Sequence, residues 1–208
     1  HVGDCFDQVQ KNRADLVKFL PSNYKIQWLD QVHGSRVVTV NNQVSQPIQA
    51  DAMITLSSRV ALAIMTADCL PILLASKNGE EIAAIHGGWR PLSLDIIKHT
   101  LDKMQTPANE LYAWLGPCIG RDAFEVGAEV KKAFTAMSLQ CENAFKPVNG
   151  ATEKYLADLH QLATTLLNNL GVTEVSTLAD CTFTQTEQYY SYRRDGQTGR
   201  MATLICRH

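Results

Sequence analysis

Long apolar runs, basic clusters and closely spaced cysteines are all missing from this 208-residue sequence. No apolar stretch reaches ten residues, whereas a helix crossing a bilayer needs about 20, so no membrane span is expected. Nineteen basic against 21 acidic residues leave a net charge of −2, which gives no electrostatic reason to expect nucleic acid. The six cysteines (Cys5, Cys69, Cys118, Cys141, Cys181 and Cys206) are scattered, and a disulfide framework belongs to short, cysteine-dense secreted chains. Reduced thiols in a cytoplasmic protein are therefore expected. No secretory signal is visible, and the first residue is His1 rather than methionine, so a natural start further upstream is expected. Low-complexity tracts, internal repeats and linkers are absent as well, which leaves one domain over residues 1–208.

What is present alternates between two periods. Tyr24–Leu29 reads as a strand running into a turn at His33–Gly34, and "SRVVTV" as a second strand rich in β-branched residues. "ADAMITLS" and "VALAIMTADC" are two more, the latter apolar on both faces and hence central in a sheet. "LPILLAS", a turn at Asn78–Gly79 and "EEIAAIHGGW" make a hairpin of buried strands. From Pro91 the period becomes helical, with Leu92, Ile96, Ile97, Leu101 and Met104 on one face. "ELYAWLG" is a strand ending in the loop "GPCIG". "AFEVGAEVKKAFTAM" and "EKYLADLHQLATTLLNNLG" read as helices, the second closed by Gly171. "VTEVSTLADC" returns to strand, and "QYYSYRRDGQTGRMATLIC" reads as a closing hairpin with its loop at Arg194–Gly199. The expected fold class is α/β, a mixed sheet with helices on its outer faces.

His33, Cys69 and His86 each stand where a strand gives way to a turn containing glycine or proline, the places where a sheet presents side chains to a cleft. One thiolate and two imidazoles suit Zn²⁺ or copper, with a further position open for water or substrate. Cys69 lies 36 residues after His33 and 17 before His86, which matches no local finger motif. Two other readings therefore stay open. Cys69 is a small buried hydrophobe beside satisfied histidines, or it is a nucleophile with His86 as base and Asp68 as orienter.

The blocks "LDQVHGSRVV", "ADAMIT", "TADCLPILLA", "AAIHGGWRPLSLDII", "LGPCIGRDAFEVG" and "SYRRDGQTGRMATLI" resemble, in order, those of one bacterial family. It is known as the multicopper polyphenol oxidase or laccase-domain family, and also as the purine nucleoside phosphorylase and peptidoglycan editing factor family. The resemblance implies a layered α/β sandwich of mixed β-sheets with outer helices, related to the catalytic domain of cytotoxic necrotizing factor toxins. It also implies that the histidine of Q-V-H-G, the cysteine of A-D-C and the histidine before G-G-W-R bind one metal ion, here His33, Cys69 and His86. One departure stands out. Members usually begin with a segment carrying a Ser-Thr-Arg stretch and a Gly-Gly turn, which this sequence lacks.

The activities that the resemblance implies are phosphorolysis of purine nucleosides, adenosine deamination and cleavage of methylthioadenosine, with polyphenol oxidation as the rival. The partners expected are a small-molecule purine nucleoside and phosphate, with no nucleic acid and no membrane; a homo-oligomer stays open. Zn²⁺ suits the nucleoside chemistry, because a bound water or substrate oxygen would be polarised and the water's pKa lowered toward neutrality. Asp68 is the acid closest in sequence to a ligand and is a candidate for proton work, its bland alternative being a turn residue that bonds nearby backbone. Arg90 is the candidate for the phosphate dianion, against a salt bridge at a helix start, with Arg193 as a helper. Gly87 and Gly88 let the backbone approach a ligand. A laccase needs several coppers, and with His99 and His160 inside helical patterns too few of the six histidines remain for a trinuclear cluster. A single copper in the His33, Cys69 and His86 site is the oxidase alternative.

Overall fold

The apolar runs flanking Thr66–Cys69 become two seven-residue strands, β6 (Val60–Thr66) and β7 (Leu70–Ser76), and these belong to two different sheets. The computed structural model describes residues 3–41 and 46–207. Strand β7 pairs antiparallel with β8 (Ile82–Gly87) across the turn at Asn78–Gly79, as the hairpin pattern predicts. That pair is the middle of a six-stranded mixed sheet, completed by β5 (Ala52–Thr55) and β3 (Val37–Thr39) on one side and β9 (Leu111–Leu115) and β13 (Glu174–Thr177) on the other. Strand β6 is central in a three-stranded sheet between β1 (Lys25–Gln27) and β14 (Met201–Ile205).

Strand alternation sorts the side chains into layers. On β5, Ala52 and Ile54 join the core beneath the helices, while Met53 joins the core shared with the three-stranded sheet. On β6, Leu62 and Ile64 face that shared core, and Ala61 and Ala63 face Tyr24, Ile26 and the helix α1 (Phe6–Val17). The order of layers is thus helices, large sheet, small sheet, helix, a layered mixed-sheet α/β architecture of the expected class. The outer helices are α2 (Trp89–Ser93), α3 (Ile96–Leu101), α4 (Ala128–Met137) and α5 (Leu159–Asn169), which send Leu92, Ile96, Phe134 and Leu162 into the core. Gly171, at φ 92, closes α5 as expected.

Four expectations are corrected. The helix from Pro91 breaks at Asp95, whose left-handed φ of 60 re-aims the chain so that both Leu92 and Ile96 reach the sheet. The segments expected to open α4 and α5 are instead strands β10 (Glu125–Gly127) and β12 (Lys154–Ala157), which pair antiparallel, with β11 (Phe145–Pro147) on the far side of β12. Here pairing overrides helical periodicity, and Asp158 then caps α5 by accepting the Gln161 N–H at 2.9 Å. The strand expected over Tyr24–Leu29 divides into β1 and β2 (Leu29–Asp30), the latter pairing with β4 (Ile48–Gln49). The closing hairpin does not form: Tyr192–Asp195 is the short helix α6, capped by Ser191, and β14 pairs with β6. Helix α1 has no counterpart among the expectations.

Candidate metal centre and its cavity

His86 is the penultimate residue of β8, opposite Pro71 on β7, and the alternation of the strand puts it on the side of Ala84, between the two sheets. Cys69 sits in the connection that carries the chain from β6 in the small sheet to β7 in the large one. His33 follows β2 in a left-handed conformation, φ 58. These three segments meet at the mouth of the inter-sheet layer. The ligand atoms of His33, Cys69 and His86 all lie within 4.8 Å of one another, with Cys69 Sγ 3.9 Å from His33 Nε2. Among the described residues this is the one group of three such side chains.

A buried carboxylate holds both histidines. Asp51, fully buried at the start of β5, accepts the His86 Nδ1–H at 2.9 Å and the His33 backbone N–H at 2.9 Å on Oδ1. Its Oδ2 accepts the Gly34 N–H at 2.7 Å. With Nδ1–H held by Asp51, His86 turns its Nε2 toward Cys69, the nitrogen that a metal ion would take once its proton leaves. Burial by itself pushes the Cys69 thiol up, but the charge of His86 and hydrogen bonds from His33 and His86 outweigh it and bring it down to about 6. Burial lowers His86, yet the Cys69 thiolate and Asp51 hold it up near 9. Without an ion, then, the pair is thiolate and imidazolium, and a bound cation would take the place of the imidazolium proton. Two imidazoles and a thiolate around one point, steadied by a carboxylate, fit a tetrahedral ion with an open position.

The centre forms part of the wall of a cavity of about 430 Å³, also lined by Trp89, Arg90, Phe124, Tyr192, Arg193 and Arg200. The Arg90 guanidinium lies over the Trp89 indole, 4.6 Å from the ring centroid, and has no acidic partner among the described residues. Arg193 lies over Phe124 and donates to the Glu125 carbonyl at 3.1 Å. Gly87 and Gly88 are buried, and the first has no room for a side chain while the second has little. A Cβ on Gly87 would stand 2.7 Å from the Leu70 carbonyl oxygen, and one on Gly88 3.0 Å from Cys69 Sγ. Asp68, at φ 87, lines the cavity, but its two oxygens accept from Thr182, Ser191 and the Arg193 N–H. The carboxylate on His86 is Asp51, not Asp68.

Sequence reasoning missed Asp51, Arg200 and Gln31. The signal for Asp51 was a charged residue just ahead of the apolar run "AMIT", where a buried carboxylate needs partners. Gln31 donates to and accepts from the Met65 backbone, both at 2.8 Å, and so locks the His33 loop to β6. Cys118 and His160 contact each other, Sγ 3.6 Å from Nδ1, behind the lining residues Ile119 and Leu159 and not among the cavity's own lining residues.

The family profile described as multi-copper polyphenol oxidoreductase laccase matches residues 1–208. The chain belongs to this family. It is 42% identical to purine nucleoside phosphorylase YfiH of Shigella flexneri, over 99% of this chain and 83% of the relative. It is also 42% identical to purine nucleoside phosphorylase PA4543 of Pseudomonas aeruginosa, with the same coverage. Among solved structures, Neisseria meningitidis protein NMB0706 superposes with a TM-score of 0.95 at 39% identity, covering all of this chain and 84% of that one. YlmD from Geobacillus stearothermophilus gives 0.86 at 26% identity, covering 100% of this chain and 83% of that one. No helix among the described residues is long and apolar enough to cross a membrane.

Proposed function

We propose that this chain is a metal-dependent purine nucleoside phosphorylase working at the His33–Cys69–His86 centre. The observation that carries the reading is the convergence of that ligand set with Arg90 and Arg193 in one cavity of about 430 Å³. The names of relatives at 42% identity support the substrate class. The substrates inferred are adenosine, inosine and methylthioadenosine, with adenosine deamination as a second activity and Zn²⁺ as the ion. A bound Zn²⁺ would supply Lewis-acid polarisation of a water or a substrate oxygen.

Phosphorolysis breaks the C1′–N9 bond and joins a phosphate oxygen to C1′, while the purine leaves with the bonding pair and takes up a proton. Arg90 and Arg193 receive the dianion, because a planar guanidinium fork matches two phosphate oxygens. Trp89, Phe124 and Tyr192 offer flat apolar surface to the base and exclude water around the reacting carbon. Gly88 keeps the space beside Cys69 Sγ open. Six free cysteines suit a reducing cytoplasm. The test is metal analysis paired with adenosine and inosine turnover, with and without phosphate. About one zinc per chain and phosphate-dependent turnover lost in His86→Ala support the reading. Bound copper with phenol oxidation and untouched nucleosides overturns it in favour of the oxidase.

A second reading has its own observation. Cys69, His86 and Asp51 stand in the order nucleophile, base and orienter, so the metal-free centre suits a cysteine hydrolase of the toxin-like kind that edits cell-wall precursors. Turnover that survives chelation but is lost in Cys69→Ser favours it.

A further inference from the structure

Asp68 immediately precedes the ligand Cys69, yet its carboxylate reaches a part of the chain 114 to 125 positions away. Oδ1 accepts the Thr182 hydroxyl at 2.7 Å, and Oδ2 accepts the Ser191 hydroxyl at 3.0 Å and the Arg193 N–H at 2.7 Å. Thr182 and Ser191 are fully buried, and Asp68 is 9% exposed. The Asp68 carbonyl meanwhile accepts the Ile119 N–H at 2.9 Å. One residue thus ties Cys69 to Ile119, Tyr192 and Arg193, all four of which line the cavity. Its φ of 87 is unusual for a side chain with a Cβ, and such a conformation persists where the surroundings hold it.

We propose that Asp68 is a positioning residue that, through these three hydrogen bonds, holds the Ser191–Arg193 turn over the metal cavity and thereby sets affinity for the anionic reactant. This rests on the phosphorylase reading. Both carboxylate oxygens are engaged by donors more than a hundred positions away in sequence, two of them buried hydroxyls and one the Arg193 N–H. The turn it holds carries two side chains of the cavity wall, Tyr192 and Arg193, and neither comes from the segments that carry the metal ligands.

Asparagine separates the two roles. In Asp68→Asn the amide oxygen can face Ser191 and Arg193, while the NH₂ faces Thr182, whose hydroxyl turns to accept. A positioning residue survives that change and a proton carrier does not. Asp68→Ala leaves all three donors without an acceptor.

The experiment measures zinc content, phosphate KM, kcat and amide hydrogen exchange over residues 189–195 in both variants. Asp68→Ala is expected to keep its zinc and most of its kcat, to raise phosphate KM about tenfold or more, and to speed exchange in that segment; Asp68→Asn is expected to stay close to the unsubstituted protein. Equal loss of kcat in both variants overturns the proposal in favour of proton work. Faster exchange with an unchanged KM overturns it in favour of a purely structural tie. If Asp68→Ala does not fold, Thr182→Val removes one donor without touching the cap of α6 and is read in the same way. If the unsubstituted protein turns over no nucleoside, the phosphorylase reading fails, and unchanged exchange in Asp68→Ala separately refutes the tie.

Discussion

Asp51→Asn is the substitution whose consequence follows most directly from the geometry. Oδ1 serves two donors, His86 Nδ1–H and the His33 N–H, and Oδ2 serves the Gly34 N–H. An amide has one oxygen, so either orientation sets its NH₂ against an N–H donor. With the oxygen toward His86, the Gly34 N–H loses its acceptor inside a fully buried site, at a cost of about 1–3 kcal/mol. With the oxygen toward Gly34, the NH₂ meets His86 Nδ1 and drives the imidazole to its other tautomer, which turns the metal-facing nitrogen into a donor. Either way the two histidine ligands are less well held. Loss of such a supporting partner lowers metal affinity by about 10–100-fold, or about 1.4–2.7 kcal/mol. Competition against a chromophoric chelator measures this, and circular dichroism checks that the fold is kept. A folded variant that binds zinc as tightly as the unsubstituted chain would refute the role assigned to Asp51.

Four further outcomes are expected. In the metal-free protein, Cys69 alkylation by iodoacetamide should show a midpoint near 6 rather than the 9 of an ordinary thiol, because the lowered pKa keeps the thiolate populated above that point; a midpoint near 9 would dispose of the ion pair with His86. Since His86 is held near 9, metal binding at about pH 7.5 should release one proton from this pair, read by calorimetry in buffers of different ionisation enthalpy. Gly87→Ala should lower the melting temperature through its clash with the Leu70 carbonyl, whereas Gly88→Ala should leave the fold intact and change the absorption spectrum of the cobalt-substituted centre. Phe134→Ala, which empties a fully buried site against Phe145, should cost about 3–5 kcal/mol of stability without changing metal content.

That His33, Cys69 and His86 come together was foreshadowed by their positions at strand ends near glycine or proline, although position alone left three readings open and the family resemblance singled out the metal set. The hairpin of β7 and β8 and the centrality of β6 were legible from apolar runs and turn residues. What was not legible is long-range. Glu125–Gly127 and Lys154–Ala157 continue a helical pattern on paper, but each finds the other as a pairing partner. The run from Arg200 to Ile205 looks like half of a local hairpin, yet its partner is β6, more than a hundred residues back. Asp51 escaped notice for the same reason, since its meaning lies in a bond to His86, 35 positions away.

The centre is assembled from the connection after β2, the crossover between the sheets and the end of β8, so no contiguous stretch of the chain contains it. In an unfolded chain those ligands are strangers, and closing the intervening loops costs entropy that only the assembled sheets offset. An ion with high affinity for the native state alone raises its stability by mass action, in proportion to the logarithm of free metal over the dissociation constant. Bound zinc would therefore count native molecules. Cells short of the ion should hold less of this protein at constant synthesis, because the metal-free fraction opens more often and meets proteases when it does.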